Sequence, residues 1–518
     1  MKRRDLLKSA LEAGIYASLP RMGTAEGQKP EKRPPNVVFI CADDLGWGDL
    51  GVYGHPEVET PNLDRLASQG TLFSQFYCAS PVCSPSRAAY MTGQYPAKTG
   101  ILRPLGSHAQ SREMNIPDYL DPATPNLMRQ LKQAGYATGH FGKWHLTTFD
   151  APGGPPLPSA YGVDEYKIDL SPKTVGWDHY QYPRLLGHDH VTAGDGYIFD
   201  EGIKFIETHK DQPFYVNVWS HIPHIPLYPS QEQMARYKYL RPNDPWPVPK
   251  QIQYAAISIF DANVGRLLSR LDELGLAENT IVIATSDHGP EGFHLNEDGT
   301  AGMGSAGPFR GHKVSLYEGG IRVPFIVRWA GTIPSGRVED NSIVSGVDLL
   351  PTLCHFAHVD LPASVQHDLD GEDASDIFLG ASRARKAPLY WENRFWYYGG
   401  TNDPVIHQSP ILAVRDKNWK MLVNPDGTRK ELYDIPNDPS EVNNKIEQHP
   451  EIGQRLAGHL LQWYKSMPGY VHTVFQLGTN TRPGLQTPKP GGNSYLWPTS
   501  ATVAAVNLRN ERSKAGSS

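Results

Sequence analysis

Cys83-Ser84-Pro85-Ser86-Arg87 brings a thiol, two hydroxyls and a guanidinium into five consecutive positions. Ser84 suits a helix cap, Pro85 a first helical position and Gly93 a stop. This predicts a short helix with Cys83 just outside its positive end. Arg87 follows Cys83 by four residues and returns to the same face. A nucleophile at a helix N-terminus beside an arginine can hold a tetrahedral oxyanion. Taken alone, the same residues also describe a core cysteine before an ordinary helix, the commoner place for a free thiol.

Three further polar clusters follow predicted strands. Asp43-Asp44 follows Val37-Val38-Phe39-Ile40, Lys143-Trp144-His145 follows Ala137 to Phe141, and Asp287-His288 follows Ile281 to Thr285. Continuous apolar runs of this length predict strands buried on both faces. Ligands of open α/β sheets gather at the carboxyl ends of such strands. An aspartate pair on a solvated turn needs no explanation, but at the end of a buried strand it needs a partner or a metal. Asp43, Asp44 and Asp287 together favour a hard cation, Ca2+ or Mg2+. Lys143 and His145, two apart on an extended segment, point the same way.

The elements that must hold these clusters alternate. Capped helices are predicted at 60–70, where Thr60, Pro61 and Gly70 mark the ends, and from Thr124 to Gly135. Further helices are predicted at 198–209, 253–274 and 347–358, with strands at Pro213 to Trp219 and Pro324 to Trp329. The alternation predicts an α/β fold, a large and mostly parallel sheet sandwiched by helices. After about residue 385 short strands with tight connections, including Asp426-Gly427, predict a smaller antiparallel sheet and a helix near 450–465. The expected organisation is an export signal and linker over 1–35, a catalytic domain over 36–385, a subdomain over 386–467 and an extended or disordered tail over 468–518.

The 518 residues carry a net charge of −6, and no basic run dominates, which argues against a nucleic-acid binder. No apolar run reaches the roughly 18 residues of a membrane span. The 4 cysteines are too few for a disulfide scaffold of this size. Arg3-Arg4 followed by Leu6-Leu7-Lys8 resembles a twin-arginine export signal, which predicts a periplasmic or secreted protein; a disordered basic tail is the alternative.

The motif at Cys83, with Thr92-Gly93 behind it, resembles the maturation motif of type I sulfatases. Gly142-Lys143-Trp144-His145 and Ser220-His221-Ile222-Pro223-His224 are similar to two more elements of that family. So are Lys313, four residues before Tyr317-Glu318-Gly319-Gly320, and the later Leu432-Tyr433-Asp434 and Asp438-Pro439-Ser440-Glu441. The resemblance runs from about residue 36 to 443. It implies an alkaline-phosphatase-like fold and oxidation of Cys83 to formylglycine by a maturation enzyme. It implies a Ca2+ site (Mg2+ as the alternative) from Asp43, Asp44, Asp287, His288 and residue 83. Many members have Asn where His288 stands. Nitrogen is a less natural Ca2+ ligand, so His288 is either a ligand, a partner of the substrate or a partner of the residues that hold the ion. Arg87, Lys143 and Lys313 would offset charge on a sulfate group. His145 would be the base that releases sulfate, His224 would help bind sulfate, and the leaving oxygen, bound by Lys313, would take its proton from His224 or Lys313. The implied substrate is a sulfated small molecule or carbohydrate, and Tyr390 to Tyr398 offers aromatic rings that either stack on sugars or belong to the core. The alternatives are a phosphonate or phosphate-ester hydrolase and a carbohydrate-binding protein without turnover.

Overall fold

Val37, Phe39 and Cys41 pack into one apolar core and Val38, Ile40 and Ala42 into another, so the run Asn36–Ala42 has no solvent face. A strand of that kind lies inside a sheet covered on both sides. The computed structural model describes residues 33–113, 115–168, 191–225, 227, 229–240, 242, 249–292, 294–295, 301–393 and 408–468. The segment read as an export signal, the aromatic residues 394–398 and the tail from 469 lie outside the described residues.

In chain order the strands are β1 (Asn36–Ala42), β2 (Thr71–Tyr77), β3 (Ala137–Gly142), β4 (Glu165–Ile168), β5 (Phe214–Trp219), β6 (Thr280–Ser286), β7 (His294–Leu295) and β8 (Ala301–Gly302). They continue with β9 (Arg322–Arg328), β10 (Arg337–Glu339), β11 (Val344–Ser345), β12 (Leu389–Glu392), β13 (Leu412–Asp416), β14 (Trp419–Val423) and β15 (Glu431–Asp434). The large sheet runs β10-β2-β9-β6-β1-β5-β3-β4, with β11 also on β2. All its pairs are parallel except those of β9, which is antiparallel to β2 and β6. Helices Cys83–Thr92, Leu127–Gln133 and Leu349–Phe356 cover one face. Helices Val191–His209 and Pro249–Glu273 cover the other.

The register brings four strand ends level. Ala42 pairs with Ser286, Cys41 with Trp219, and Gly142 with Trp219. The residues after β1, β3, β5 and β6 therefore emerge at one edge. Backbone bonds stitch them together there: Asp287 N–H donates to Ala42 O, Ser220 N–H to Cys41 O, and Lys143 N–H to Trp219 O. Gly289 lies against Gly319, where a Cβ would fall 2.0 Å from a carbonyl oxygen, so a side chain there would push the Lys313 loop away.

Two caps differ from the sequence expectation. Val82, not Ser84, is the cap of the Cys83 helix, and Cys83 is its first residue. Ser84 Oγ accepts instead from Leu105 N–H. Asn126, not Thr124, caps the helix at Leu127, accepting from Arg129 N–H. Gly93 does end its helix, at φ 66°.

The second sheet, β12-β13-β14-β15, is antiparallel, and helix Pro450–Ser466 packs on it. Trp391 is buried and donates through Nε1 to Cys78 O, and Tyr390 stacks on Trp463, so these two rings are packing rather than a sugar platform. Lys420 of β14 reaches Glu318 Oε1 at 3.0 Å and Glu441 Oε1 at 2.9 Å, all fully buried. Glu318 also accepts from Tyr77 and Arg322. This cluster anchors the turn after Lys313. A second tie is Asp49, whose carboxylate accepts from Gly46 N–H and Ser305 N–H at 2.7 Å each. Burial with only neutral donors pushes Asp49 up to about 7.

Removing one partner of a buried ion cluster leaves charge uncompensated. Lys420→Met is expected to lower unfolding stability by about 3–5 kcal/mol in denaturant titration, with part restored by adding Glu441→Gln. A single variant within about 0.5 kcal/mol of wild type contradicts this. Asp49 takes up its proton on folding, so its contribution is full below its ordinary value of 3.8 and is lost as pH rises toward about 7. Between about pH 5 and about pH 8 the wild type should lose on the order of 3 kcal/mol relative to Asp49→Asn, whereas parallel pH curves would contradict the assignment.

Candidate active site

Cys83 opens its helix at the level edge of the sheet, and it is buried. Its Sγ stands 3.2 Å from His288 Nε2 and 3.7 Å from Asp43 Oδ1. Asp43 and Asp44 leave the end of β1, and Asp44 turns through a left-handed conformation at φ 66°. Asp287 and His288 leave the end of β6. One donor atom each from Asp43, Cys83, Asp287 and His288 fall within 4.8 Å of one another, as do those of Asp44, Cys83 and His224. The metal candidates of the sequence are thus brought together.

The cations predicted from sequence interlock with these carboxylates. Arg87 is fully buried and puts Nη2 2.9 Å from Asp287 Oδ2 and 3.7 Å from Asp43 Oδ1, with Trp219 flanking the guanidinium. Lys143 Nζ pairs with Asp43 Oδ2. Lys313 Nζ lies 2.8 Å from Asp44 Oδ2 and 2.8 Å from Glu291 Oε2. His224 Nε2 is 3.9 Å from Asp44 Oδ2, while its Nδ1 meets Ile225 O. His145 follows Lys143 in a left-handed conformation, φ 54°, and the charges of Lys143, Arg87 and Asp43 act on it. All six catalytic candidates therefore meet at the edge where the carboxylates lie.

The electrostatics follow from this packing. Burial raises the Asp43 carboxyl, but Lys143 and Arg87 hold it well below its usual range. Burial keeps Asp44 raised despite Lys313. Burial and Lys143 hold His145 well below the usual imidazole range, and burial and Lys313 do the same to His224. Burial lowers Lys313, but Asp44 and Glu291 outweigh it and hold it well above the ordinary amine value.

The donor set fits a divalent cation. Three buried carboxylates converge, and Asp44 Oδ1 is buried without a hydrogen-bond donor, with His288 Nε2 at 3.4 Å. His288 turns Nδ1 toward Gly289 O at 2.9 Å, which leaves Nε2 to face the cluster. Burial lowers this imidazole, yet Asp287, Cys83 and Asp44 lift it to about 10, so the position draws positive charge. A cation there would take the place of that proton.

Two residues of the site escape a reading of the motifs. Glu291, buried beside Lys313, lies just past the strand-end cluster and has no spacing signal of its own. His140 lies within β3; its Nε2 meets Lys143 O at 3.2 Å and its Nδ1 meets Asn217 Nδ2 at 3.2 Å. Burial pushes it down to about 3, so it is a neutral prop for the Lys143 turn. Arg310 packs over Tyr317 and donates to Glu441 O.

Comparison with known proteins agrees with this geometry. A family model described as Sulfatase matches residues 35–359, and one described as N-sulphoglucosamine sulphohydrolase, C-terminal, matches residues 309–465. The chain is similar to arylsulfatase A of Homo sapiens, 31% identical over 479 residues that cover 82% of this chain and 86% of that protein. It is similar to N-acetylgalactosamine-6-O-sulfatase of Bacteroides thetaiotaomicron, 28% identical over 501 residues, 83% of this chain and 93% of that protein. Among solved structures it resembles Ps i-CgsB in complex with k-i-k-neocarrahexaose, with TM-score 0.67 and 26% identity over 83% of this chain and 93% of that one. The fold, the strand-end cluster and the match over more than half of its length agree: the chain belongs to the sulfatase family.

Proposed function

We propose that the protein hydrolyses sulfate monoesters of carbohydrates through a formylglycine made from Cys83. The observation that carries this is the placing of Cys83 at a buried helix N-terminus, within reach of Asp43 and His288 and ringed by Arg87, Lys143 and Lys313. The charge count supports an anionic substrate. Four carboxylates (Asp43, Asp44, Asp287, Glu291) face the three cations Arg87, Lys143 and Lys313, so a bound divalent ion beside a neutral His288 leaves one positive charge. A sulfate monoester carries one negative charge. Asp43, Asp44, Asp287 and His288 are the residues proposed to hold the ion, as Ca2+. When bound, that ion would acidify the attacking hydroxyl and offset charge on the sulfuryl oxygens.

The Sγ of Cys83 marks where one oxygen of the hydrated aldehyde would lie. One hydroxyl, having given up its proton to solvent, attacks sulfur, and the S–O bond to the departing alcohol breaks. The alcohol takes a proton from the chain. Burial and Lys313 disfavour protonated His224, whose Nδ1 is already engaged by Ile225 O, so Lys313 is the better donor. His145, held neutral, then removes the proton of the second hydroxyl; the C–O bond to sulfate breaks and the aldehyde returns.

Carbohydrate substrates are proposed because relatives and solved neighbours include an N-acetylgalactosamine-6-O-sulfatase and a protein in complex with k-i-k-neocarrahexaose. Export through the Arg3-Arg4 signal and oxidation by a maturation enzyme belong to the same reading. No helix among the described residues is long and apolar enough to cross a membrane.

Cys83→Ala is expected to lower sulfate release to below about one-thousandth of wild type in an ion-chromatography assay. Cys83→Ser, with no second hydroxyl to expel sulfate, should stall as a sulfated serine visible by mass spectrometry. Near-normal turnover by Cys83→Ala contradicts the mechanism, and release of phosphate in preference to sulfate contradicts the substrate class.

A further inference from the structure

Glu291 is a buried carboxylate with no part in the steps above. Its Oε2 lies 2.8 Å from Lys313 Nζ, and the two side chains are 9% and 8% exposed. A buried ion pair is costly to desolvate, so its presence beside a reacting group is not explained by stability alone. The backbone holds the pair in register. Lys313 N–H donates to Pro290 O at 2.9 Å. The His312 ring lies over Gly292, where a Cβ would fall 2.7 Å from ring atoms, so the two segments cannot shift apart or together freely.

We infer that Glu291 is a positioning residue that aims Lys313 at the departing oxygen, an inference that rests on the function proposed above. An ammonium has three N–H donors. Asp44 Oδ2 takes one and Glu291 Oε2 takes another, both at 2.8 Å. With two donors anchored, the direction of the third is set. It is the one available to the ester oxygen. Without Glu291 the amine has one anchor, on Asp44, and can rotate about it.

The consequence depends on the leaving group. An alcohol departing from a sugar needs a proton as the S–O bond breaks, whereas 4-nitrophenolate leaves without one. The test compares wild type, Glu291→Gln and Glu291→Asp on 4-nitrophenyl sulfate, phenyl sulfate and N-acetylgalactosamine 6-sulfate. Rates are normalised to the modified fraction at residue 83. Glu291→Gln is expected to lose about tenfold to a hundredfold in kcat/KM on the sugar ester and less than about threefold on the nitrophenyl ester. Phenyl sulfate should fall between them. Glu291→Asp keeps the charge but is one methylene short, and should show the same order with smaller losses; it carries the test if the amide variant does not fold. Equal losses on all three esters, or none on the sugar ester, overturn the inference. A wild-type protein that releases no sulfate from any of the three overturns the proposed function instead.

Discussion

Three carboxylates buried at one sheet edge repel one another, and much of the surrounding structure exists to offset that charge. Asp43, Asp44 and Asp287 are each 1% exposed or less. Isolated, such groups would take up protons rather than stay ionised. Arg87, Lys143 and Lys313 come from three separate elements to meet them, and His288 supplies the remaining positive position. The same arrangement serves two ends. It concentrates negative donors where a cation would fit, and it rings that point with positive groups that an anionic ester would meet.

This clustering depends on register more than on any single contact. Parallel pairing of β1 with β5 and β6, and of β3 with β5, brings four strand ends to one level. A slip of one residue would turn each strand's faces over and carry the catalytic segments apart. The antiparallel sheet contributes at a distance. Lys420 and Glu441 fix Glu318, and Ser409 Oγ accepts from Leu316 N–H, so the loop bearing Lys313 is held from behind. Stability of that sheet and geometry of the site are therefore coupled through one turn.

Much of this was legible in the residues. The segments ending at Ile40, Phe141 and Thr285 read as strands, and the polar residues after them read as a site because strand ends of such sheets converge. The mostly parallel sheet and the later antiparallel one followed from the change in texture near residue 385. What was not legible depends on tertiary partners. Thr71–Tyr77 mixes apolar and polar residues, and its place between β9 and β10 comes from pairing. Ser84 had the chemistry of a cap, but Leu105 N–H claimed its hydroxyl. Tyr390 and Trp391 had the chemistry of a sugar platform, but the core claimed their rings. Glu291 carries no motif, and its meaning appears only once Lys313 stands beside it.

The central claim is that the reacting group at position 83 is no longer a thiol. Fragmentation mass spectrometry of the tryptic peptide Leu66 to Arg87, from protein that releases sulfate, tests it most directly. The peptide holds Cys78 and Cys83 together, so the fragment series must assign the change. The account predicts an aldehyde or its hydrate at residue 83 and an intact thiol at Cys78, whose sulfhydryl is buried against Ser80 O and Ile321 O. An intact thiol at residue 83 in an active sample would contradict it.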